Sequence, residues 1–139
     1  RPGPAFREGV KRYLFSPHTE WEAFRDYLAA EGFRITDEHM LKEEGKYYLI
    51  LVCENGDGEA AYREALTHGI SVPASRRFGP KLLERRDPVL RSYMEERLRK
   101  EKEIAERLPQ SEREPVYAKR EEVRENIALL TECLAHFEE

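Results

Sequence analysis

The chain has 139 residues, 40% of them hydrophobic and 37% charged, which suits one modest domain with a large solvated surface. No apolar run approaches the roughly 20 residues that a membrane helix requires, and Arg1-Pro2-Gly3-Pro4 carries no hydrophobic signal core, so no membrane segment and a cytoplasmic address are expected. The net charge of −4 argues against a uniformly basic surface, yet residues 76–107 carry 11 Lys/Arg against 7 Asp/Glu, so one face can still favour phosphates.

The chain opens on Arg rather than Met, in a Pro/Gly stretch leading directly to an apolar run, as expected of a chain that begins inside a larger domain. Lys11 to Ser16 reads as a short strand in which Tyr13-Leu14-Phe15 is apolar throughout, implying burial on both faces. Thr19 and Glu22 have the spacing of a capping box opening a helix whose core stripe is Trp21, Phe24 and Leu28. Gly32 ends it. Phe33, Ile35, His39 and Leu41 then alternate with polar residues as one face of a half-buried edge strand, interrupted at Asp37. After a tight turn at Glu44-Gly45, Tyr47 to Cys53 are seven successive apolar or aromatic residues, the pattern of a central strand covered on both sides.

Asn55-Gly56-Asp57-Gly58 is a connection, and residues 59–78 give weak signals consistent with a helical turn around Ala60 to Leu66 followed by loop. From Gly79-Pro80 the pattern is helical. It restarts at Asp87-Pro88, an N-cap followed by proline at the first helical position, and ends at Pro109. Leu90, Met94, Leu98, Ala105 and Leu108 form one stripe, with Glu101 a polar intruder. Val116, Arg120, Val123, Ile127, Leu130, Leu134 and Phe137 recur in steps of four and three, the seam of a coiled coil, and a short loop between two such helices predicts an antiparallel hairpin.

Cys53 and Cys133 fall in a strand and a helix and read as reduced core residues. His18, His39, His68 and His136 are scattered without ligand spacing, so no metal is expected. Three strands and one helix in the first 75 residues leave sheet faces and an edge uncovered, which requires a missing or docking partner.

Tyr13-Leu14-Phe15-Ser16-Pro17-His18, Trp21 with Leu28, Glu43-Glu44-Gly45-Lys46-Tyr47-Tyr48 running into Leu51-Val52, Ala60-Ala61-Tyr62 and Phe78-Gly79-Pro80-Lys81-Leu82-Leu83 follow one another in an order that resembles the back half of the TrmK family. That family methylates N1 of adenine 22 in bacterial tRNA. The resemblance implies an α/β fold: the C-terminal part of a class I, Rossmann-like methyltransferase sheet with an antiparallel terminal hairpin, followed by the coiled-coil helical hairpin. Residues 1–75 would then be the C-terminal portion of the catalytic domain, and residues 76–139 a basic linker and hairpin. It also implies S-adenosylmethionine as cofactor, bound by a region not present in this chain, and tRNA and the remainder of the methyltransferase domain as partners. The segment alone would be inactive, with no catalytic residue of its own.

Ser16, Pro17 and His18 end a strand at the carboxyl edge of an α/β sheet, where ligands sit, and are candidates for substrate binding; the competing reading is a helix-entry turn. Arg76, Arg77, Lys81, Arg85, Arg86 and Arg91 crowd the start of the helical region as candidates for tRNA phosphates, against the alternative of a solvated, charge-mixed helix. The other reading of the whole chain is a non-enzymatic α+β interaction or dimerisation module with a coiled-coil hairpin, one that forms a homodimer or binds another protein, as the heptad at 116–137 and the incomplete sheet suggest.

Overall fold

The computed structural model describes residues 11–138, so the Pro/Gly opening read from Arg1 lies outside the described residues. The chain divides into two compact units, Arg1–Arg85 and Arg86–Glu139, so residues 76–85 group with the sheet rather than with the hairpin. The first contains β1 (Arg12–Phe15), α1 (Trp21–Ala30), β2 (Phe33–Glu43), β3 (Lys46–Asn55), α2 (Ala60–Thr67), α3 (Val72–Phe78) and α4 (Pro80–Glu84). The sheet order is β1-β3-β2 with both pairings antiparallel, which makes β3 central and β2 an edge. Glu44 and Gly45 both have positive φ (49° and 81°), the two-residue turn whose twist matches a β-hairpin.

β2 departs from the strict alternation of its sequence. The register shifts between Ile35 and Asp37, so the strand changes parity at Thr36. Ile35, Glu38 and Met40 therefore face the core, while His39 and Leu41, expected inside, are exposed. One extra residue reverses every side chain beyond it.

Burial in β3 alternates instead of being two-sided. Leu49, Leu51 and Cys53 are fully buried beneath the helices, whereas Ile50 and Val52 are half-buried and Tyr48 is exposed. In β1, Leu14 pairs with Val52 on that same open face and is 73% exposed, so β1 is not buried on both sides. Tyr13 and Phe15 instead join Phe33 and Phe24 in edge-to-face contacts on the helix side. The sheet is thus covered on one face only.

No capping box forms at Thr19 and Glu22. α1 starts at Trp21 behind Glu20, which is left-handed (φ 53°) and makes no side-chain cap bond. Glu22 turns to Arg77. The stretch expected to be loop contains α3, whose N-cap Ser71 accepts a hydrogen bond from the Ala74 amide with proline in the first turn.

The second unit is α5 (Pro88–Arg107) and α6 (Glu114–His136). Asp87 caps α5 through the Val89 and Leu90 amides. Contacts of Arg91 with Glu138 and of Glu101 with Asn126 make the two helices antiparallel. On α6, Val123, Leu130, Cys133 and Phe137 are buried, while Val116, Arg120, Ile127 and Leu134 are half-buried. Glu101, the polar intruder of the α5 stripe, is 4% exposed and bonded to Arg97 (3.0 Å) and Asn126 (3.1 Å). Ala105, placed on that stripe by its spacing, is exposed.

Both cysteines are buried thiols outside any disulfide among the described residues. Burial pushes the Cys53 thiol up to about 11, and the Glu38 carboxylate adds to the effect. Neither thiol should react with a disulfide reagent at about pH 8 in the native protein, and both should react on unfolding. Rapid labelling of Cys53 in native protein would show that the helix layer opens over β3. No helix among the described residues is long and apolar enough to cross a membrane.

Candidate nucleic-acid interface

Arg25 lies on the inward stripe of α1, four residues after Trp21 and three before Leu28, and its side chain is fully buried. It meets the equally buried carboxylate that the β2 bulge turns inward. Arg25 Nε donates to Glu38 Oε2 at 3.0 Å, and Nη2 lies 2.9 Å from the same oxygen. Both ends of the pair have further work. Arg25 Nη1 donates to the carbonyls of Arg76 (3.2 Å) and Arg77 (3.0 Å) in the last turn of α3. Glu38 Oε1 accepts from the amides of Lys81 (2.8 Å) and Leu82 (3.3 Å), which open α4.

Helix ends leave backbone groups orphaned, with partial negative charge at the carboxyl end and partial positive charge at the amino end. One buried ion pair satisfies both ends of the α3–α4 elbow with matching signs. Gly79 occupies the bend at φ 105°, with no room for a side chain beside the pair. The Phe78-Gly79-Pro80-Lys81 segment is therefore a backbone elbow locked from within.

The elbow carries most of the basic candidates, and each has an acidic partner. Arg76 pairs with Asp26 (3.3 Å) and Glu59 (2.8 Å) and stacks its guanidinium on Tyr62, 4.2 Å from the ring centre. Arg77 pairs with Glu22 at 3.3 Å, and Lys81 with Glu64 at 3.0 Å. Arg85 pairs with Asp37 at 2.9 Å and bonds the Glu38 carbonyl. In the second unit Arg91 contacts Glu95 and Glu138, and Arg86 has positive φ (52°) and is exposed.

The cluster is thus neither a row of free cations nor a simple solvated helix face. Its first four members tie α3 and α4 to α1, α2 and β2. Side-chain exposure ranks them: Arg76 (16%) and Lys81 (19%) are mostly covered, while Arg77 (35%) and Arg85 (40%) are more open.

The pairings reshape local acidity. Burial alone would raise the Asp37 carboxyl, but hydrogen bonds from the Glu38 amide and Arg85 outweigh it and hold Asp37 below the usual range. Hydrogen bonding from Lys81 lowers Glu64, while burial raises Glu84, which lies near the same ammonium.

Ser16, Pro17 and His18 form the turn between β1 and α1. Ser16 and His18 are exposed, and the Pro17 carbonyl accepts from Trp21 Nε1 at 3.1 Å. The structure brings these three residues together at the carboxyl end of β1. It links the basic elbow to the same end of α1 through Arg77 and Glu22.

Sequence reading passed over Arg25 and Glu38. The helical spacing of Arg25 from Trp21 and Leu28 is a usable signal; Glu38 has none until the bulge is known.

A family model described as tRNA (adenine(22)-N(1))-methyltransferase, TrmK, matches residues 4–132. The chain is 31% identical over 129 residues to the tRNA (adenine(22)-N(1))-methyltransferase of Bacillus subtilis, a match covering 92% of this chain and 52% of that protein. Its fold is similar to the crystal structure of the B. subtilis m1A22 tRNA methyltransferase TrmK, with TM-score 0.77 and 30% identity over 89% of this chain and 51% of that one. It is also similar to a protein of the NADB-Rossmann superfamily from Streptococcus agalactiae, with TM-score 0.71 and 26% identity over 89% and 48%. Sp1610 of Streptococcus pneumoniae, solved in complex with S-adenosyl-L-methionine, matches at TM-score 0.67 and 26% identity over 88% and 47%. The chain spans about half the length of these relatives. With the family model matched across most of its length, the chain belongs to the TrmK tRNA (adenine(22)-N(1))-methyltransferase family.

Proposed function

We propose that the chain completes the sheet of an S-adenosylmethionine-dependent methyltransferase acting on N1 of adenine in tRNA, and that it contributes to tRNA binding. The observation that carries this reading is the sheet order, with β3 inserted antiparallel between β1 and β2, as expected at the end of a class I methyltransferase sheet. The open face bearing Leu14, Leu41 and Tyr48, and the edge of β1 away from β3, are where the remainder of that domain would add. The same face predicts self-association of the isolated chain.

The described residues do not fit the cofactor. Gly79, which opens α4, is backed by the Glu38 carboxylate and the Arg25 guanidinium instead of offering a cradle, and the turn after β1 contains no glycine. What this chain would supply is recognition: hydrogen-bonding groups of Ser16, Pro17 and His18 toward the nucleoside, and cations toward phosphate. Removing the target base from its stack and aligning its N1 is a problem of positioning. The α5–α6 hairpin, read as a short coiled coil, would extend the RNA contact.

Incubating the gene product that carries this chain with tRNA and labelled S-adenosylmethionine tests the reading. Label on N1 of a tRNA adenine, and none with residues 1–139 alone, is expected. Absence of label with the gene product, together with a stable dimer of the isolated chain that ignores tRNA, would instead establish the interaction module.

Among the basic residues, Arg77, Arg85, Arg86 and Arg91 are assigned to phosphate contact, and Arg76 and Lys81 to holding the elbow. Arg77→Gln should weaken tRNA binding severalfold and flatten its salt dependence with little change in melting temperature. Arg76→Gln should chiefly lower the melting temperature. Interchanged effects would reverse the assignment.

A further inference from the structure

We propose that Trp21 is a positioning residue that aims the backbone amide of His18 at the substrate nucleoside; this rests on the methyltransferase reading above. The turn from Ser16 to Glu20 has few anchors of its own. It lacks regular hydrogen bonding, its expected capping box is not made, and it ends in the left-handed Glu20. Proline at position 17 fixes one φ angle and removes one donor. The side-chain bond that ties the turn down is Trp21 Nε1 donating to the Pro17 carbonyl at 3.1 Å, from an indole that is itself half-buried on α1.

That bond fixes more than an oxygen. The Pro17–His18 peptide is planar and trans, so its C=O and N–H point in opposite directions. Holding the carbonyl toward the indole directs the His18 N–H away from it, where it meets no backbone acceptor among the described residues. A backbone donor with fixed direction, at the carboxyl end of β1 and next to an exposed imidazole, is suited to an acceptor on a base or ribose. The His18 amide makes the contact, and Trp21 acts through it.

The test uses the full gene product with two replacements at position 21. Trp21→Phe keeps an aromatic ring and removes the donor. Site-specific incorporation of β-(3-benzothienyl)alanine keeps the bicyclic shape and replaces only the N–H by sulfur, so it serves where the phenylalanine variant fails to fold. Loss of one aiming hydrogen bond should lower kcat/KM for tRNA about five- to tenfold. The KM for S-adenosylmethionine should not change. A merely structural tryptophan would leave the benzothienyl variant at wild-type kcat/KM, and that result would overturn the proposal. Wild-type gene product that methylates no tRNA would sink the underlying reading and this assignment with it, a failure visible before any variant is made.

Discussion

Glu38→Gln is expected to destabilise the sheet unit by about 3–5 kcal/mol, the range for breaking a buried ion pair by removing one partner. The substitution preserves shape, so the loss is electrostatic. One amide oxygen can still accept from Lys81 and Leu82, but the amide nitrogen is then a donor facing the Arg25 guanidinium, which stays charged and fully buried. Urea unfolding followed by Trp21 fluorescence measures it. Arg25→Met combined with Glu38→Met should cost less than the sum of the single losses, because neither variant charge is stranded. It should not be neutral, since the carbonyls of Arg76 and Arg77 and the amides of Lys81 and Leu82 lose their partners. A Glu38→Gln protein within about 1 kcal/mol of wild type would mean that the pair is solvated and the elbow held by other contacts.

The elements whose signals are local were legible in the sequence. Tyr47 to Cys53 reads as the central strand because no other stretch is as continuously apolar, and Asp87-Pro88 marks the start of α5 because cap and first-turn chemistry coincide there. α3 was missed although Ser71 and Pro73 carry a related signature, since its seven residues, about two turns, are too short for an apolar period to support it. The parity change at Thr36 leaves only one local mark, the polar Asp37 that interrupts the run of Phe33, Ile35, His39 and Leu41, and only pairing with β3 shows the bulge that turns Glu38 inward.

The candidate site was legible as composition but not as chemistry. Arg76 and Arg77 are conspicuous as charges, yet their partners Asp26 and Glu22 lie 50 and 55 residues away in the chain. Spacing rules cover pairs three or four residues apart on one helix and say nothing about ion pairs made between elements. The excess of cations in residues 76–107 is therefore largely answered from the acidic first half, and the elbow is fastened by ion pairs within the protein.

Gly79→Ala should be about as damaging as the loss of Glu38, for a different reason. At φ 105° an L-residue is strained by about 1–2 kcal/mol. The new methyl would also lie 2.7 Å from Glu38 Oε1 and 2.8 Å from both Glu38 Oε2 and Arg25 Nη2. These atoms cannot swing aside, because the same carboxylate caps α4 and the same guanidinium holds the end of α3. Relieving the clash means moving the elbow, which adds the cost of overpacking, about 1–3 kcal/mol. Gly45→Ala is the control: φ is 81° but a Cβ there meets nothing within 4 Å, so only the backbone strain is lost. The difference between the two alanine variants in chemical denaturation isolates the rigidity of the buried pair. Equal losses would mean that Arg25 and Glu38 yield to a methyl group and do not lock the elbow. A Gly79→Ala loss larger by about 1–3 kcal/mol would mean that α3 and α4, and with them Arg76, Arg77, Lys81 and Arg85, are held in place from the core outward.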